Sequence, residues 1–296
     1  MAMNLAFAQL ERRVFWLSAV LICAIAAAGA FAAWHGTDVL LQINSVLALV
    51  FCLWLVWAVL QRERYLFWRG CLIFWGFWLV FPLFKSINQF WISRRFDAEL
   101  LILDRALWGG LSLPEYAMRL EHFVLSEIVS LGYALFYSVV ILPVLWFTYK
   151  RKSGTARRFF LGLALMYLIG FSGYLLIPAG GPFAAFPEIF PYPPAGGVIT
   201  HALVDVVAQG ITGMDVFPSL HGGVSLYVLG FFVISAILQR NWAYWWASLL
   251  LLIVCIPLLA ATVYLRYHYG IDLLAGTALA AAVLWFIYRP HYRLKQ

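Results

Sequence analysis

The sequence predicts an all-α, polytopic transmembrane helix bundle with about eight spanning helices, and three observations lead there. Hydrophobic residues make up 65% of the 296 and charged residues only 11%, against about 25% charged in soluble domains. Apolar runs recur at the ~20 residues that an α-helix needs to cross a hydrocarbon core. Tryptophan and tyrosine crowd the ends of those runs (Trp34, Trp91, Tyr149, Trp242, Tyr244, Trp245, Trp246, Tyr288), as interfacial belts require.

The predicted spans are 14–34, 39–60, 66–90, 124–148, 158–177, 217–238, 243–264 and 271–288. The first follows Arg12 and Arg13 and ends in Ala26-Ala27-Ala28-Gly29-Ala30, a superficial likeness to a cleavable signal. Its length exceeds a signal's apolar region, so a retained helix is expected. Residues 1–90 read as a group of N-terminal helices and 91–296 as the domain that carries the chemistry. Cys23, Cys52, Cys71 and Cys255 lie inside apolar runs at unrelated spacings, which suits small core residues better than a disulfide framework. Two connections are long. Residues 91–123 mix charges with leucines at near-helical spacing, broken by Gly109-Gly110 and Pro114, and fit either a surface amphipathic helix or a solvated loop. Residues 178–216 hold six prolines and cannot be helical throughout, so a lid or binding loop is expected.

Lysine and arginine orient the bundle. With the N-terminus inside, 14 of the 20 basic residues fall in inside segments, among them Arg62, Arg64, Arg69, Lys150, Arg151, Lys152, Arg157, Arg158, Arg240, Arg289, Arg293 and Lys295. Both termini are therefore expected in the cytoplasm. The net charge of +7 is spread over short loops rather than one face, which argues for a membrane partner and against nucleic acid.

Under this topology, two polar motifs meet the same outer edge: Phe217-Pro218-Ser219-Leu220-His221 and Arg266-Tyr267-His268-Tyr269-Gly270-Ile271-Asp272. Ionisable groups are costly at such edges, so their convergence marks a functional site. Singly, each has an ordinary use: an aspartate or serine near a helix start is a cap, and an interfacial histidine packs. His268 and Asp272 are four apart, hence on one helix face, where a carboxylate can hold Nδ1–H and leave Nε2 as a nucleophile. His221 has no such local partner and can serve as a proton donor. One oriented and one free imidazole suit covalent phosphoryl transfer. Arg266, Ser219 and the backbone N–H groups near His221-Gly222-Gly223 are candidates to stabilise the phosphoryl oxygens. A metal on His221, His268 and Asp272 is chemically feasible, but no fourth ligand accompanies them; the pattern calls for neither a metal nor another cofactor.

The strings FPSLH (217–221) and YLRYHYGIDLLAG (264–276) resemble the second and third signature motifs of the type 2 phosphatidic acid phosphatase superfamily, in the branch that contains inositol phosphorylceramide synthases. The stretch from Tyr174 through Pro178, Gly180, Gly181 and Pro182 resembles that branch's entry to its active-site loop, 178–216. The resemblance implies a six-helix catalytic core, His268 as nucleophile, Asp272 as its orienting partner and His221 as general acid. Ser219 and Gly181 are then expected to contact the phosphate. The superfamily's usual Lys-x6-Arg-Pro motif is absent, and its usual arginine six before the histidine is Thr262 here. Arg266 and Lys85 are the expected substitutes.

An integral membrane lipid phosphatase or head-group phosphotransferase without a metal is therefore expected. It would act at the outer leaflet on a phospholipid and, for a transferase, a lipid alcohol acceptor. An inactive lipid-binding protein of the same fold is the alternative. A transporter fits worse, since it would need polar groups at the bilayer midplane. Oligomeric state is left open.

Overall fold

The computed structural model describes residues 5–60, 66–149, 154–210 and 214–289. In chain order the helices are α1 (Leu5–Trp34), α2 (Val39–Leu60), α3 (Leu66–Val80), α4 (Phe84–Trp91), α5 (Asp97–Leu107), α6 (Leu113–Met118) and α7 (Phe123–Ala134). They continue as α8 (Phe136–Tyr149), α9 (Gly154–Leu176), α10 (Pro182–Ala185), α11 (Val198–Gly210), α12 (Leu220–Gln239), α13 (Trp242–Tyr264) and α14 (Gly270–Ile287). Among the described residues there is no strand, only an isolated bridge between Ala179 and Asp215. Among the described residues, eight helical stretches are long and apolar enough to cross a membrane; α3 and α4 form one of them through a 3-10 turn at Phe81–Leu83, and α7 with α8 form another. The all-α polytopic bundle expected from composition is the fold observed. Arg62, Arg64, Lys150, Arg151, Lys152, Arg293 and Lys295, on which the inside count partly rests, lie outside the described residues.

The chain divides into two compact units. The first comprises residues 1–93, 142–169 and 282–296. Here α1 packs against α2, α3 and α4 around Phe7, Phe15, Ile22, Phe74 and Phe77. Helix α1 begins at Leu5 rather than at 14, and Glu11 shows why. Its carboxylate is buried but accepts hydrogen bonds from Arg157, and a paired charge can sit where a lone one could not. The buried Arg69 donates from Nε to the Ala58 carbonyl at 3.1 Å. Cys52, Cys71 and Cys255 are buried and all four cysteines are free, as small core residues would be.

The second unit comprises residues 94–141 and 170–281. Helix α13 packs against α12 and α7, and α11 against α7. The starts of α12 and α14 touch main chain to main chain. A side chain at Gly223 would lie 2.8 Å from the Gly276 carbonyl oxygen, so two glycines admit the close approach. The Ser219 N–H then donates to the Asp272 carbonyl at 3.0 Å, tying the two polar motifs together through the backbone.

Both long connections carry structure. Residues 91–123 hold α5 and α6, with the break at Gly109 (φ 79°) and Gly110 (φ 107°) and a Ser112–Glu115 capping box opening α6 around Pro114. The pattern on α5 is inverted relative to a surface amphipath: Asp97 and Asp104 are buried, whereas Ile102, Leu103 and Leu107 are exposed. Within 178–216, α10 and α11 form. The Glu127 carboxylate on α7 accepts from the N–H groups of Gly197, Ile199 and Thr200 and from the Thr200 hydroxyl. It satisfies donors that the start of α11 would otherwise leave orphaned.

Candidate active site

His268 is buried in the turn between α13 and α14, with its backbone N–H donating to Thr262 O at 2.9 Å. Its Nδ1 lies 3.6 Å from Asp272 Oδ2. That is the atom pair that could fix the tautomer, at a distance longer than a hydrogen bond. Asp272 Oδ2 also accepts the Tyr269 N–H at 2.8 Å, so the residue caps α14 and faces the imidazole at once.

His221 sits in the first turn of α12. Its ring centroid is 5.7 Å from that of His268, at an interplanar angle of 60°. Two aromatic side chains from the α7–α8 stretch hold it. Tyr133 stacks on the imidazole (4.9 Å, 26°) with its hydroxyl 3.3 Å from Nε2, and Phe136 packs at 4.5 Å. Nδ1 of His221 is buried without a hydrogen-bond partner. Asp215 lies nearby, bridged through its backbone to Ala179. Burial pushes its carboxyl above the ordinary carboxylate value, offset in part by its own backbone hydrogen bond and by His268. Burial likewise raises the Tyr267 phenol.

The supporting residues are placed as follows. Arg266 adopts a left-handed φ of 64° and is buried. Its guanidinium donates to Glu121 Oε2 at 2.6 Å and to the Tyr192 carbonyl, while Nε has no partner. Ser219 is the α12 N-cap, its Oγ accepting the Gly222 N–H at 3.2 Å. Of the backbone donors considered, Gly222 is therefore engaged by this cap and Gly223 N–H by the Ser219 carbonyl. Gly181 has φ 87°, and any side chain there would collide with the Tyr267 carbonyl. Its N–H donates to Asp97 Oδ1 at 2.9 Å. Lys85 belongs to the first unit, where it lies 3.7 Å from Asp38 on a cavity of about 450 Å³ that His35 and Gln89 also line.

Three groups of residues escaped the sequence. Tyr133 and Phe136 look like ordinary span residues, and nothing local marks them as partners of a histidine. Glu121 reads as a loop charge, yet it holds Arg266 and also accepts the Ala195 N–H. Asp97 and Asp104 brace the turn that carries His268. Asp97 accepts from the N–H groups of Gly180 and Gly181 and from the Tyr269 hydroxyl. Asp104 accepts from the N–H groups of Leu113 and Ile271 and from the Trp108 indole. Their spacing of seven, with Leu100 and Leu101 between, was a legible sign of one buried helix face.

Fold and site together define a class: a polytopic helix bundle that sets two imidazoles beside a buried carboxylate at the ends of apolar helices. The chain belongs to the PAP2 superfamily, whose family model matches residues 98–286. That agrees with the resemblance drawn from the two histidine motifs. A similar protein is a phosphoinositol dihydroceramide synthase from Bacteroides thetaiotaomicron, 26% identical over 204 residues, which are 62% of this chain. The match spans 64% of that relative's length. No solved structure matches the chain.

Proposed function

We propose that this protein is a membrane phosphotransferase that moves a phosphorylated head group from a phospholipid to a lipid alcohol through a phosphohistidine intermediate, with water as the competing acceptor. The observation that carries the proposal is the 5.7 Å separation of the His221 and His268 rings with Asp272 behind His268. The transferase outcome draws on the relative's name, a phosphoinositol dihydroceramide synthase.

In the first step Nε2 of His268 attacks phosphorus, and the bond from phosphorus to the diacylglycerol oxygen breaks. Protonated His221 gives that oxygen its proton, and Asp272 stabilises the positive ring of His268. In the second step neutral His221 takes the proton of the acceptor hydroxyl. The acceptor oxygen attacks phosphorus and the phosphorus–Nε2 bond breaks. Arg266, two residues before His268 in the sequence, is the candidate to offset charge on the phosphoryl oxygens. The charge bias of the loops supports an outer-leaflet site with both termini cytoplasmic.

The test incubates detergent-solubilised protein with phosphatidylinositol labelled in its head group, and with or without ceramide. Labelled sphingolipid should form only with ceramide, and His268→Ala and His221→Ala should abolish transfer. Full activity in either variant would overturn the mechanism. A lipid binder without turnover is the alternative, and the engagement of Arg266 by Glu121 and Tyr192 favours it. It predicts saturable phosphatidylinositol binding with no product from any acceptor.

A further inference from the structure

Resting on that function, we infer that Tyr133 is a positioning residue that turns His221 so that Nδ1, not Nε2, delivers the proton to the leaving oxygen. The hydroxyl of Tyr133 lies 3.3 Å from Nε2, and the two rings are stacked at 26°. Phe136 closes another side of the imidazole at 4.5 Å. The ring is thus held by contacts that leave one nitrogen without a partner, Nδ1. In imidazolium both nitrogens carry protons. The Nε2 proton is given to the tyrosine oxygen and stays there, so the transferable one is on Nδ1. Among the described residues, His221 has no carboxylate beside it comparable to Asp272, and a phenol does the equivalent orienting work without adding a negative charge that would hold the proton back. The titratable groups around the pair are His268, whose ring is 5.7 Å away, Tyr267, whose ring meets that of Tyr133 at 5.4 Å and a tilt of 59°, Tyr137 and Asp215.

A leaving-group test separates this role from packing. Phosphatidylinositol expels an alkoxide that needs a proton, whereas the 4-nitrophenyl diester of inositol phosphate expels a stable phenolate that does not. Tyr133→Phe keeps the stacked ring and removes only the hydroxyl. In single-turnover release of the leaving group, which reads the first step alone, it should slow phosphatidylinositol about tenfold, the worth of one hydrogen bond. The substrate concentration for half-maximal release should be little changed, and the nitrophenyl substrate should stay within about twofold of wild type. Equal losses on both substrates in that step, or none on either, would overturn the role of Tyr133. His221→Ala run alongside should show the same selectivity in release more strongly, while steady-state turnover of both substrates falls because the second step needs His221 as base. If release itself is lost equally on both substrates, the acid role of His221 fails and the phosphotransfer mechanism with it. Should Tyr133→Phe not fold, 3-fluorotyrosine at position 133 keeps both ring and hydroxyl while acidifying the phenol. The limb of the pH–rate profile set by His221 should then move, and an unmoved limb would overturn the proposal.

Discussion

His268 takes its orientation from its sequence neighbours, whereas His221 takes its own from a tyrosine 88 residues away. Around His268, the carboxylate at i+4, the Thr262 carbonyl and the α14 cap all come from one short stretch. Around His221, the same work is done by Tyr133 and Phe136 from another helical region. Under the proposed mechanism, the difference teaches that a nucleophile needing one fixed tautomer is served by a charged local partner, and that a group which must give and retrieve a proton is better served by a neutral one.

The largest expected effect breaks the local half of that comparison. Asp272→Asn preserves shape but cannot hold the Nδ1–H tautomer, and initial rates of head-group transfer should fall by about 10³–10⁴-fold, the loss seen when a triad carboxylate is made neutral. A loss below tenfold would reduce Asp272 to a helix cap. Next come the buried carboxylates beneath the turn. Asp97→Asn and Asp104→Asn each exchange an acceptor-only group for one that also carries donors, which should cost about 1–3 kcal/mol of stability. Thermal unfolding of the detergent-solubilised variants measures it, and activity should fall because the turn bearing His268 loosens.

A smaller effect probes the α7 side. Glu127→Ala removes the carboxylate that caps α11, at a cost of about 0.5–2 kcal/mol. Limited proteolysis should then cut within 198–210 faster than in wild type. The smallest serves as a control. Arg105 beside Glu115 holds the Glu115 carboxyl down to about 2, from an ordinary value of 4.5. A depressed carboxyl contributes stability that is fully present above the unfolded-state value, so this contribution should fade only as pH falls from about 4.5 through about 2. Glu115→Gln should flatten that limb of the unfolding-midpoint profile and leave the leaving-group selectivity of the site unchanged.

Much of the helix count was legible because bilayer thickness sets a length that composition alone reveals. The start of α1 was not, since Glu11 is admissible in a buried turn only through Arg157, a partner invisible to local hydropathy. The pairing of His268 with Asp272 was readable because helical period is a local rule. The Tyr133 contact was not, because residues brought together by helix packing obey no fixed spacing. The acidic pair on α5 falls between these cases. Asp97 and Asp104 share a face by simple periodicity, but charge suggested an exposed face, and only the N–H groups waiting at Gly180, Gly181 and Ile271 reverse that expectation.

The main-chain contact of Gly223 with Gly276, joined by the Ser219–Asp272 bond, makes the gap between the two imidazoles a property of the backbone. Under the proposed mechanism, a bulkier lipid cannot be admitted by spreading them without breaking that helix crossing. Discrimination between acceptors would then fall to segments outside the crossing, above all 178–210, while the two imidazoles keep their spacing.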